Sequence, residues 1–176
     1  MIENTDSSST LNTTTGKNTH MDASTHISGF VTIIKNAGKP TEELICNDKV
    51  NLLTNGGRDL FHAQCYTNTA AGTRGSGFVA LSSDAVAPAV GDTTLASEIT
   101  TGGLARADVT TKTHTAGTNV TTLQHTFTAT ATHTAVQKCG MFNAASGGTL
   151  THENTFTSVT LQASDTLQVT WTLTLG

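Results

Sequence analysis

The chain has 176 residues, enough for one domain with a short appendage. Only 12% of them are charged and the net charge is −4, which excludes the clustered Lys and Arg of a nucleic-acid binder. No apolar run approaches the roughly 18–20 residues of a membrane span, and three cysteines without a CxxC point to neither a disulfide framework nor a zinc site.

Residues 1–26 contain little to bury beyond Ile2, Leu11 and Met21. A stretch so rich in Ser, Thr and Asn is expected to be disordered in an isolated monomer. It carries no basic-plus-apolar signal segment, which points away from ordinary secretion. Two readings stand side by side: a loose leader, or an arm that orders by donating an edge strand to a neighbouring subunit. On the second reading Ile2, Leu11, Met21 and Ile27 are the arm's apolar contacts.

From Ile27 onward the texture is that of a packed domain, residues 27–176. Residues 29–34 read as a strand, Asn36-Ala37-Gly38-Lys39-Pro40 as a turn and residues 43–46 as the return, a hairpin by its turn chemistry. Leu53, Leu60, Phe61 and Cys65 fall near helical spacing, and Thr54 or Asn55 offers a cap, so a short helix is expected over residues 55–65. Its Gly56-Gly57 pair costs it roughly 1–2 kcal/mol. The Gly-rich stretch 70–77 lacks the Lys-Ser/Thr of a phosphate loop and leads into a strand at 78–81 rather than a helix. After a loop over 82–91, Asp92 is expected to cap a single helical turn through Leu95 to Ile99.

The rest reads as strands. Residues 106–115 and 120–131 flank the turn Ala116-Gly117-Thr118-Asn119, with Leu123, His125, Phe127 and Ala129 on one face. Residues 136–142 and 149–156 flank the turn at 143–148, with Leu150, His152, Asn154 and Phe156 on one side. In the closing segment Leu167, Val169, Trp171, Leu173 and Leu175 alternate with Thr or Gln, the mark of a strand with one dry face. This pattern predicts an all-β fold: a two-sheet antiparallel sandwich, jelly-roll-like, with one or two short helices and an extended N-terminal arm.

Chemistry is hard to find in the spacing. Seven histidines (His20, His26, His62, His114, His125, His133, His152) include no HxH, HxxxH or HExxH. Across the 116–119 turn His114 should face Thr121, too far from His125 for a shared ligand. Asp84, Asp92, Glu98, Asp108, Glu153 and Asp165 are scattered at turns and strand ends, no GxSxG elbow occurs, and Cys139 reads as a core thiol. These features point to a protein that is not an enzyme.

Four segments carry a resemblance. They are residues 51–59 (NLLTNGGRD), 87–98 (APAVGDTTLASE), 140–150 (GMFNAASGGTL) and 165–173 (DTLQVTWTL). In this order they resemble the "NLVTNAGRD", "TAPAVGDTAL", "GLFNA…GGTL" and "GDTLQVTWTLTF" motifs of a group of tailed-bacteriophage virion structural proteins. The likeness spans about residues 50–176. It implies a non-enzymatic capsid decoration (cement) protein on the virion surface, a homo-oligomer partnered by the major capsid protein and by copies of itself. It implies no nucleic-acid or membrane partner. A tail- or fibre-associated domain touching baseplate or host surface is the alternative it leaves open. The matched motifs are turns, caps and core strands, so the likeness supplies no catalytic residue, cofactor site or metal ligand.

Overall fold

The structure is a computed structural model and describes residues 27–62 and 75–175. Its strands are β1 (Ile27–Lys35), β2 (Glu43–Val50), β3 (Leu52–Leu53), β4 (Phe78–Ser82) and β5 (Ala107–Asp108). They continue as β6 (Thr111–His114), β7 (Val120–Thr128), β8 (His133–Phe142), β9 (Leu150–Leu161) and β10 (Thr166–Leu175), and α1 (Asn55–His62) follows β3. Two five-stranded antiparallel sheets, β2-β1-β10-β7-β6 and β3-β9-β8-β4-β5, form a sandwich. The expected all-β fold of two antiparallel sheets with a short helix is the one observed, while the expected N-terminal arm falls outside the described residues.

The closing strand β10 sits at the centre of its sheet, paired with β1 on one side and β7 on the other. Leu167, Val169 and Trp171 are fully buried against Val31, Ile33, Leu123 and Phe127 of the same sheet. Across the interface stand Val79, Leu81, Val136, Met141, Phe156, Val159 and Leu161. Each large side chain buried in this way stabilises by roughly 1.5–3 kcal/mol. A second, smaller cluster of Ala80, Leu95, Phe142 and Leu150 lies apart from this core.

The sequence-predicted helix is present, and its cap is Thr54, whose buried hydroxyl accepts from Gly57 N–H at 3.0 Å. The Gly-Gly pair has a packing reason. A Cβ on Gly57 would sit 2.3 Å from the Thr151 carbonyl oxygen, so only glycine lets α1 lie this close to β9. Residues 63–65, the expected end of the helix, and residues 1–26 lie outside the described residues.

Four expectations need correction. No helical turn forms between Leu95 and Ile99. A turn at Ala96 and Ser97, with Ser97 at φ 50°, leads instead into a Ser82–Glu98 bridge beside β4 and an Ile99 N–H to Leu81 O bond of 2.8 Å, while Leu95 buries itself in the second cluster. Residues 106–115 are not one strand but two, in different sheets, because the chain turns at Val109, which is 5% exposed in the main core. The strand after the 116–119 turn ends at Thr128, short of Ala131. Finally, Leu150 and Phe156 do not share a side. A register shift sets Phe142 opposite Leu150 but Met141 opposite His152, so Leu150 joins the second cluster and Phe156 the main core.

Candidate functional site

The loop between β4 and β5 is held down by charge. Lys138 on β8 and Glu153 on β9 are 2% and 1% exposed, an unusual depth for such groups. Lys138 Nζ donates to Asp84 Oδ2 at 2.5 Å and lies 4.0 Å from Glu153 Oε2. Glu153 in turn shares a hydrogen bond with the carboxyl of Asp92. Burial, and then the Asp92 hydrogen bond and charge, push the Glu153 carboxyl up to about 7. The same hydrogen bond, with a second from Ala89 N–H at 2.8 Å, holds Asp92 below the usual carboxylate range. Of the two carboxyls, Glu153 is therefore the one that holds a proton more readily. Asp84 is lowered by Lys138 first and by Val86 N–H next.

The two aspartates bracket the stretch Ala85–Gly91 and tie its backbone from either end. Asp84 Oδ1 accepts from Val86 N–H at 3.2 Å, while Asp92 N–H donates to Ala89 O at 3.0 Å. Asn55 N–H, at the start of α1, donates to Val90 O at 2.8 Å. The result is a fixed loop whose tip is apolar and uncharged, with Val86 68% and Val90 50% exposed.

Arg106 clamps the next corner. Its Nε and Nη2 meet Glu98 at 2.9 and 2.6 Å, and Nη1 donates to Ala144 O at 3.1 Å and Gly147 O at 2.7 Å. The guanidinium carbon stacks 3.4 Å from the Phe142 ring centroid. Loop 87–98 and the 143–148 turn thus become one piece.

Of the residues picked from the sequence as assembly contacts, Ile2, Leu11 and Met21 lie outside the described residues. Ile27 opens β1, with its backbone opposite Leu175. The acids seen as scattered are not all apart: Asp84, Asp92 and Glu153 converge on Lys138. Only tertiary folding brings them together, and the one local hint was a Lys and a Glu inside strands that otherwise bury apolar side chains. Asp92 Oδ2 caps backward, to Ala89, rather than forward into a helix.

In form, a raised carboxyl beside a depressed one is an acid–base pair. Here the cleft of about 300 Å³ above it is lined by Asp84, Asp92, Thr93, Thr94 and Lys138, while Glu153 lies sealed below. The arrangement orients a loop.

Among the described residues no group of three or more His, Cys, Asp or Glu side chains is arranged to hold a metal ion. His114 stands opposite Thr121, as its spacing required, and its Nδ1 meets Val120 O at 2.8 Å. His125 sits edge-on to Phe127 at 4.5 Å, and its burial lowers its pKa. His152 is 6% exposed, and burial lowers it to about 4. Cys139 is a buried free thiol whose burial raises its pKa.

No family model, no curated protein and no solved structure matches the chain.

Proposed function

We propose that the chain is a non-enzymatic structural protein of a tailed-bacteriophage virion. Within that class we read it as a head decoration protein, oligomeric on the capsid surface and stabilising the shell by adding buried interface between capsid subunits. One observation supports this reading above the others: three of the four segments that resemble virion proteins are joined into a single surface unit. Asn55 binds Val90, Leu95 packs with Phe142 and Leu150, and Arg106 links Glu98 to the turn at 144–147. The unit spends its buried charges on fixing the uncharged tip at Val86 and Val90, a preorganised contact rather than an open reaction site. A hydroxyl-rich, weakly charged surface suits repeated packing, since specific interfaces bury roughly 1,200–2,000 Å² and a shell multiplies modest contacts.

The test is rebinding. Capsids stripped of this protein should take up the purified chain at hundreds of copies and melt at a higher temperature. A copy number of six or a small multiple would assign the chain to the tail instead. No uptake by intact protein would overturn the decoration reading.

A further inference from the structure

One side of the sandwich is an unfinished seam. β2 is the outermost strand of its sheet, and in the facing sheet β3 covers only His152 and Glu153 of β9. Among the described residues, no strand lies beside β9 from Asn154 to Leu161 on that side. At one end the two edges are stitched together: Asn154 Nδ2 donates to Val50 O at 2.7 Å and Lys49 O at 3.3 Å, and the Lys49 ammonium reaches Thr155 O. At the other end the sheets part. Lys35 Nζ donates to Thr160 O at 2.8 Å, and an open groove of about 390 Å³ runs between Glu43, Leu44 and Ile45 on β2 and Thr157, Ser158 and Thr160 on β9. Two β9 backbone acceptors are thus served by lysine side chains, with no paired strand there among the described residues. Leu44, 57% exposed, stands at the mouth.

We infer that this groove is the docking site for residues 10–15 (TLNTTT) of a second copy of the chain, added as a strand. Twenty-six residues precede β1, and within them 10–15 is the run richest in β-branched residues, ended by Gly16. Leu11, its one apolar side chain, suits Leu44 and Ile45, and its threonines suit the hydroxyl-lined β9 wall. The charges are compatible as well, since the run is neutral and leaves the Lys35–Asp165 ion pair of 3.5 Å and the rim carboxylate of Glu43 undisturbed. Geometry favours a second copy over the chain's own arm. The arm enters at Ile27, the end of β1 nearest the Asn154 and Lys49 stitches, whereas the groove opens at the Lys35 end, so the chain's own arm would have to double back along the whole of β1 and use up nearly all its linker. The twelve residues from Thr15 to Ile27 reach about 40 Å when extended, enough to span to a neighbour.

The inference deepens the self-association in the reading above, and it is tested in solution without capsids. Full-length chains carrying Leu11→Cys or Asn12→Cys are mixed with chains carrying Ser158→Cys and mildly oxidised. Each variant alone gives the background from Cys46, Cys65 and Cys139. A disulfide-linked pair of unlike chains well above that background is expected. Thr13→Pro, which removes a strand donor, should abolish both the cross-link and the oligomer while the protein still unfolds cooperatively at the melting temperature of the dilute, dissociated wild type. No cross-link above background, or an oligomer indifferent to Thr13→Pro, would overturn the inference. If the cross-link fails but capsid rebinding survives, the seam alone is wrong. If rebinding fails but the cross-link forms, the shell reading is wrong and the seam stands.

Discussion

At the scale of single residues, the most consequential group is Glu153. Its folded pKa of about 7 lies above the ordinary 4.5. Between these values the folded protein keeps a proton that the unfolded chain gives up, so this group's contribution to stability is fullest below about 4.5 and is lost as pH rises through 7. A shift of this size corresponds to at most about 3 kcal/mol. Asp92, depressed by the same hydrogen bond, contributes the opposite slope at lower pH, and the pair titrates together. Glu153→Gln supplies a neutral donor to Asp92 in place of the carboxyl proton. In thermal melts from pH 5 to 8 the variant's midpoint should gain steadily on the wild type's, because the opposite slope from buried His152, lowered to about 4, is common to both, and the variant should be about 1–3 kcal/mol more stable at pH 8. A variant that is less stable at pH 8 would mean that Glu153 is ionised and paired with Lys138.

At the scale of elements, what was legible in the chain was what local chemistry decides. Strict alternation identified β10, Thr54 marked the start of α1, and the turn at 116–119 set His114 opposite Thr121. The misreadings share a cause, which is that distant contacts overrode a local pattern. The Leu95–Ile99 segment had a plausible cap, yet its backbone pairs with Leu81 and Ser82. Residues 106–115 looked continuous, yet Val109 turns into the core. The charged cluster was invisible for the same reason, since Asp84 and Glu153 meet only because β4, β8 and β9 are neighbours. The weight placed on β10 is testable. Trp171 is fully buried at the sheet centre, so Trp171→Ala should cost about 3–5 kcal/mol in chemical denaturation. That is much of a typical domain's 5–15 kcal/mol. A loss under 1 kcal/mol would mean that the two sheets close without it.

At the scale of the molecule, folding and assembly are assigned to different parts of the chain, and the parts are separable. The core draws on β1 and on the strands from β4 onward. A chain beginning at Ser24 should therefore melt as the full chain does while losing association with its own copies. Unfolding of that chain would show that the first residues belong to the domain. The Val86–Val90 tip makes the stronger case, because its fold-side contacts are backbone and carboxylate bonds that a side-chain change leaves intact. The Val90 partner in α1 is reached through its carbonyl, and Asp84 and Asp92 hold main-chain N–H groups. Replacing both exposed valines by Asp should therefore move stability by no more than about 0.5 kcal/mol. Burying a valine at an interface is worth about 1.5 kcal/mol or more, and two carboxylates add desolvation on top. Capsid uptake of the double variant should fall at least a hundredfold, since each 1.4 kcal/mol is tenfold in affinity. The cross-link through the β2–β9 seam should persist, because the tip lines no part of that groove. Full uptake by a well-folded double variant would remove the loop from the shell contact and leave its buried charges without the role given them here.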